Sequence, residues 1–189
     1  MLQMTLANEI ERGSWAQQRD ALAVALGLHG LRVSEVCKAR RGDLSVAGQT
    51  LQVQTLKRGR PREVPLDASI VRALLVWRAG DATEWLLFTR CRQQVYPTQF
   101  QRAARRLIAA ALGEPNKFHT LRHTFATHLY AETEDPALVM RLLGHRSLAS
   151  TEVYIESLKT VPDVCLLRLP TPDNDQQPPR QLRIFSPAG

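Results

Sequence analysis

Phe118-His119-Thr120-Leu121-Arg122-His123-Thr124-Phe125-Ala126-Thr127-His128 is the densest run of chemistry-bearing side chains in the sequence, and its spacing decides how the rest is read. His119 and His123 stand four apart, and Arg122 follows His119 by three, so a helix gathers all of them on one face. Leu121 and Phe125 then point into the core and hold that face rigid. The pattern predicts a helix over about residues 120–131. Two histidines at this spacing also permit a zinc site. That motif places a glutamate directly after the first histidine as general base, whereas Thr120 stands here and no third ligand is evident.

Working outward, Asp135-Pro136 reads as a cap followed by a first-turn proline, opening a helix through Leu143 that Gly144 ends. His145 follows, and Tyr154 comes nine residues later on a last expected helix. Upstream, Trp15, Leu22, Val24, Ala25 and Leu28 supply the stripe of a helix over 14–29, with Gly27 and Gly30 loosening its end. A second helix is expected from Arg32, with Ser34 and Glu35 near its start and Val36 and Cys37 facing inward. Over 44–66 the period changes to two. Leu51, Val53 and Thr55 alternate, Gly59-Arg60-Pro61 turns, and Val64 and Leu66 resume. That is a small antiparallel hairpin or three-stranded sheet, and its loop carries Lys57. Asp67 is placed to cap a helix over 67–79, and Pro97 fits the first turn of a helix over 97–112. The fold class is therefore mainly α with a small antiparallel β-hairpin or sheet, as one domain over 1–161. Residues 162–189 form a proline-rich tail expected to be largely disordered, apart from two apolar patches at Val164–Leu169 and Leu182–Phe185.

Composition narrows the class. The chain has 189 residues, 44% of them apolar, and a net charge of +7 that favours a polyanionic partner. The positive charge is clustered: Arg90, Arg92, Arg102, Arg105 and Arg106 crowd one stretch, and Lys57, Arg58, Arg60 and Arg62 another, as a phosphate-tracking surface requires. The three cysteines, Cys37, Cys91 and Cys165, share no metal-ligand spacing and read as reduced thiols. The first residues lack the pattern of a signal peptide, and no apolar run approaches the roughly 20 residues that span a bilayer. A soluble intracellular protein is expected.

Arg32, Lys57, His119, Arg122, His145 and Tyr154 make an unusual set, without an acidic pair, a glycine-rich phosphate cradle or a serine nucleophile. Singly, each has an ordinary reading: a surface arginine, a capping histidine, a packing tyrosine. Jointly they hold what is needed to cut a phosphodiester without a metal. Guanidinium groups clamp non-bridging oxygens, a lysine protonates the leaving alkoxide, and a tyrosine hydroxyl attacks.

Gly30-Leu31-Arg32-Val33-Ser34-Glu35, the Lys57 hairpin ending in Val64-Pro65-Leu66, His119-Thr120-Leu121-Arg122-His123, and Leu143-Gly144-His145 with Tyr154 beyond it closely resemble the tyrosine recombinase (phage integrase) catalytic domain. Arg19-Asp20 also looks like the family. The resemblance runs over about residues 15–160 and leaves the tail outside. Longer members carry a helical core-binding domain ahead of the catalytic one, and with the first motif at residue 32 none is expected here. His29–Glu35 resembles the pattern of the short fimbrial phase-variation invertases; an excised fragment is the alternative.

The resemblance implies that Arg32 and Arg122 hold the scissile phosphate, His145 adds a hydrogen bond to it, and Tyr154 is the nucleophile. It further implies His119 as proton acceptor and Lys57 as general acid to the 5′-oxygen. The intermediate is a 3′-phosphotyrosyl link, formed with no metal, nucleotide or other cofactor. Double-stranded DNA is the implied partner, contacted by Arg58 and Arg60 in the hairpin and by Arg102, Arg105 and Arg106 on a helix entering the major groove. The implied assembly is a homotetramer on two duplexes, monomeric or dimeric without DNA, with Val164–Leu169 packing on a neighbour and an accessory DNA-binding protein as a further partner. The bacterial cytoplasm is the implied location. A type IB topoisomerase, or a silent DNA-binding regulator of the same fold, stays open beside the recombinase.

Overall fold

Between Ala21 and Leu28 every side chain is buried, and a helix that is apolar all round belongs at the centre of a fold. In the computed structural model of the chain, which describes residues 1–54 and 61–144, that helix is α2, Trp15–Leu28. It packs against α1 (Leu2–Arg12), α4 (Ala68–Trp77), α5 (Pro97–Leu112) and α6 (Phe118–Thr133). The short α3 (Val33–Lys38) follows it, and α7 (Pro136–Leu143) lies against α6.

The sheet has three antiparallel strands in the order β1 (Leu44–Ser45), β2 (Thr50–Val53) and β3 (Arg62–Pro65). Leu51 pairs with Val64 and Val53 with Arg62, so Leu51, Val53, Val64 and Arg62 share the buried face. The mainly α fold with a small antiparallel sheet is thus as expected, and the expected helices from 14 to 143 lie within a few residues of their predicted bounds. Asp135 caps α7 as read, its Oδ1 accepting from the N–H groups of Ala137 and Leu138 at 2.8 and 3.0 Å.

Three readings need correction. The chain start, examined only as a possible leader, is the helix α1. Leu2, Leu6 and Ile10 repeat every four residues, and Leu2 and Leu6 are buried in the main core. Gly27 does not loosen the end of α2, which continues through it. A β-carbon there would come within 2.8 Å of the Phe118 ring, so the glycine permits close approach of α2 and α6. The turn belongs to Gly30 alone, at φ +86°. Asp67 occupies the N-cap position of α4 but takes no capping hydrogen bond; its carboxylate stands 3.3 Å from His29 Nε2 instead.

Apolar side chains form one large core around α2 and a smaller one between α6 and α7, from Ala126, Leu129, Leu138, Val139 and Leu143. Phe125 packs on the smaller core and lies beneath Gly30, joining α6 to the turn that leads to Arg32.

Candidate active site

The N-terminal turn of α3 sets the first functional side chain. Arg32 is extended at the N-cap, and its N–H donates to Glu35 Oε2 at 2.7 Å while the Glu35 N–H donates to the Arg32 carbonyl at 2.9 Å. Its guanidinium turns back to Glu35 Oε1 at 3.0 Å while its side chain stays 40% exposed. Arg32 is therefore aimed outward from a fixed base.

Arg122 lies behind it. It is completely buried in the first half of α6, donating from Nη1 to the Gly30 carbonyl and from Nη2 to the Leu143 carbonyl, each at 2.6 Å. One guanidinium thus ties the turn before Arg32 to the end of α7. Its Nη1 is 3.7 Å from Glu35 Oε2.

Glu35 is the hub, with a carboxylate only 2% exposed and a third arginine on it. Arg62 donates from Nη1 and Nη2 to Oε1 and Oε2 at 3.0 and 2.9 Å, and from Nε to the Leu142 carbonyl at 2.7 Å. Burial alone would push the Glu35 carboxyl up. The hydrogen bonds and charge of Arg62, the Arg32 N–H and the nearby Arg122 outweigh that and hold it below the ordinary carboxylate range. Three guanidinium groups against one carboxylate leave two net positive charges on a small patch.

His119 and His123 stand on the same face of α6, with rings edge to face and centroids 4.4 Å apart. Desolvation first, then the charges of His123, Arg122 and Arg32, hold the His119 imidazole below its ordinary value; desolvation and Arg122 do the same for His123. The shift favours the neutral form of both rings, the form in which His119 can accept a proton. Among the described residues, no three His, Cys, Asp or Glu side chains gather around this pair. The surface so formed is cationic, backed by buried arginines and edged by a neutral base, and it fits an oxyanion.

Comparison with known proteins points the same way, since the phage integrase family matches residues 4–160. The chain belongs to that family. A tyrosine recombinase of Pseudothermotoga lettingae is 34% identical over 146 residues, covering 75% of this chain and 51% of the relative. XerC of Methylobacterium sp. is 35% identical over 152 residues, covering 76% of this chain and 47% of the relative. This integrase-family chain spans about half the length of those curated relatives. Among solved structures, the XerA recombinase aligns with a TM-score of 0.69 at 26% identity, over 81% of this chain and 57% of that one. The post-cleavage complex of XerH with its palindromic difH substrate shares the fold, with a TM-score of 0.70 at 24% identity over 84% of this chain and 48% of that one. The family match begins at residue 4, so α1 belongs to the integrase unit that the sequence motifs alone traced only from about residue 15.

Of the six residues that the resemblance singles out, the structure brings Arg32, His119 and Arg122 together. Lys57, His145 and Tyr154 lie outside the described residues, as do Arg58 and Arg60. Arg102, Arg105 and Arg106 line the exposed side of α5, opposite the buried Phe100, Ala104 and Leu107. Arg106 is also engaged with Glu9 of α1 through two bonds of 2.6 and 3.0 Å.

Two residues at the centre of this arrangement were given no role by the sequence, although Glu35 stands inside the Gly30–Glu35 motif. Glu35 registers in sequence as a helix-start residue, and only the fold shows three arginines converging on it. Arg62, grouped by sequence with the cations of the hairpin, is buried and paired rather than part of an exposed basic surface. Its signal was the alternation with Val64, which puts both on the inward face of β3.

Proposed function

We propose that this chain is the catalytic unit, over residues 1–161, of a site-specific DNA recombinase that cleaves and rejoins strands through a 3′-phosphotyrosyl intermediate. The observation that carries the reading is the arrangement of Arg32 and Arg122 on the shared Glu35 carboxylate, with His119 beside them. Membership of the phage integrase family and the tyrosine recombinases among its relatives support it.

In the reaction, Tyr154 Oη attacks the phosphorus and the bond to the 5′-oxygen breaks. The tyrosine proton passes to His119, and Lys57 gives a proton to the departing 5′-oxygen. Arg32 and Arg122 balance the charge that grows on the non-bridging oxygens, with His145 adding a hydrogen bond. The phosphotyrosyl link keeps the energy of the phosphodiester, so a 5′-hydroxyl from a second strand reverses the step without ATP. Double-stranded DNA is the substrate and partner, gripped by Arg58, Arg60, Arg102, Arg105 and Arg106. Four copies on two duplexes carry out exchange, with an accessory DNA-binding protein as a further partner. No helix among the described residues is long and apolar enough to cross a membrane. Bacterial cytoplasm is the proposed location.

Arg32→Ala tests the clamp with little confusion from folding, because its side chain is part exposed and Arg62 still satisfies Glu35. Cleavage of a nicked duplex should slow by about 10²–10³-fold, the scale of losing one oxyanion donor, with thermal stability nearly unchanged. Cleavage at the wild-type rate would remove Arg32 from the mechanism.

A pH profile tests the base. His119 must be neutral to accept the proton, and its affinity for protons is lowered in the folded protein. The acid limb of the cleavage rate therefore falls below about pH 6.5, the ordinary histidine value. On acidification a protonated His123 opposes protonation of His119, and His123→Asn removes that repulsion, so the limb should move up toward that value. An unmoved limb would assign it to another group.

A further inference from the structure

The buried arginine of β3 has no part in the mechanism above, yet its guanidinium makes three hydrogen bonds to two other elements. Arg62 bonds both oxygens of Glu35 and the Leu142 carbonyl, reaching from the sheet to α3 and to the end of α7. Its contact with the α7 end is intimate: a β-carbon on Gly144 would meet Arg62 Cδ and Nη1 at 3.1 Å. Each Glu35 oxygen is shared, Oε1 by the side chains of Arg32 and Arg62, and Oε2 by the Arg32 N–H and Arg62.

That sharing has an electrostatic consequence. With Arg62 absent, the Glu35 charge would face Arg32 and Arg122 alone and cancel one of the two positive charges meant for a phosphate. With Arg62 in place the carboxylate is matched by a buried guanidinium, only 5% exposed. It can then align Arg32 without drawing it inward. A lysine keeps the charge but lacks the planar fork, so it cannot bond both carboxylate oxygens and the α7 carbonyl at once.

We propose that Arg62 is a positioning residue for the phosphate clamp, supplying the counter-charge of Glu35 and locking β3, the start of α3 and the end of α7 into one arrangement. The role rests on the recombinase reading. Its chemical correlate is selective: Arg62 matters in proportion to the negative charge on the scissile phosphate.

The test compares wild type and Arg62→Lys on nicked duplexes drawn from the DNA flanking the coding region, with either the natural phosphate or a methylphosphonate at the scissile position. The methylphosphonate has one charge and one acceptor oxygen fewer, so it needs the clamp less. DNA affinity should stay within about twofold and the natural substrate should be cleaved roughly 10–100-fold more slowly, the scale on which outer partners support a site. On the methylphosphonate the gap between the two proteins should close to within about threefold. An equal gap on both substrates would mean a general structural defect and would overturn the role, as would wild-type cleavage by the variant. Should Arg62→Lys fail to fold, Arg62→Met combined with Glu35→Leu removes both buried charges and replaces them by apolar packing. That protein should fold and bind DNA but, with no carboxylate to align Arg32, cleave the natural phosphate more slowly than wild type, and full activity on the natural phosphate would overturn the proposal. A wild type that cleaves neither duplex would contradict the recombinase reading itself and this role with it, whereas an active wild type with an unaffected variant contradicts only the role.

Discussion

Arg122→Ala is expected to lower the free energy of unfolding by about 3–5 kcal/mol, the cost of removing one partner from a buried charged network. The substitution strips the Gly30 and Leu143 carbonyls of donors that reach them at 2.6 Å, in a place with no exposure to water. It also withdraws a positive charge that helps keep the buried Glu35 ionised. For a chain of this size the loss corresponds to a fall in Tm on the order of 10 °C. Cleavage should disappear as well, because the proposed mechanism has the same guanidinium neutralise the phosphate. Arg122→Lys separates the two effects in part: the charge returns, but a lysine cannot serve both carbonyls in the arginine geometry. Thermal unfolding of the two variants is the measurement. A Tm for Arg122→Ala within a degree or two of wild type would mean that the two carbonyl bonds do not hold the turns before Arg32 and after α7. The contrast with Arg32→Ala is instructive, since that arginine shares the same carboxylate yet lies near the surface, and its loss should cost rate and not stability.

Much of this site was legible in sequence because its parts are local. Gly30 to Glu35 is one turn and one helix start, and His119 with Arg122 is one helical face, so spacing alone assembles each piece. Asp135-Pro136 and Gly144 bracket α7 for the same reason. What the spacing could not show was convergence. Arg62 and Glu35 are 27 residues apart and Arg62 and Leu142 are 80 apart, and no local rule links them. Charge counting even misled, because a cation in a basic run reads as surface until the pleat of β3 turns it inward opposite Val53. Gly27 shows the converse error. Taken as a breaker, it is instead the small residue that lets the Phe118 ring sit against α2. Asp67 shows that a good capping residue follows its strongest available partner, here His29. The helix at the chain start was readable from Leu2, Leu6 and Ile10, and only the absence of a motif hid it.

Tyr154→Phe is expected to abolish covalent capture of DNA altogether while leaving DNA affinity within about twofold. A phenylalanine keeps the ring and its packing and removes only the oxygen that would attack, so no slower route to the same adduct remains. A free tyrosine has a pKa near 10, so at neutral pH attack by one requires a base and cations beside it. In the proposed reaction His119, whose affinity for protons is lowered, and the Arg32–Arg122 pair on Glu35 would supply that environment. The most direct measurement is therefore covalent trapping on nicked suicide duplexes drawn from the DNA flanking the coding region, with no metal added. The mechanism predicts a denaturant-resistant protein–DNA adduct in wild type and none in Tyr154→Phe. An undiminished adduct in Tyr154→Phe, or none in wild type despite measurable binding, would contradict it.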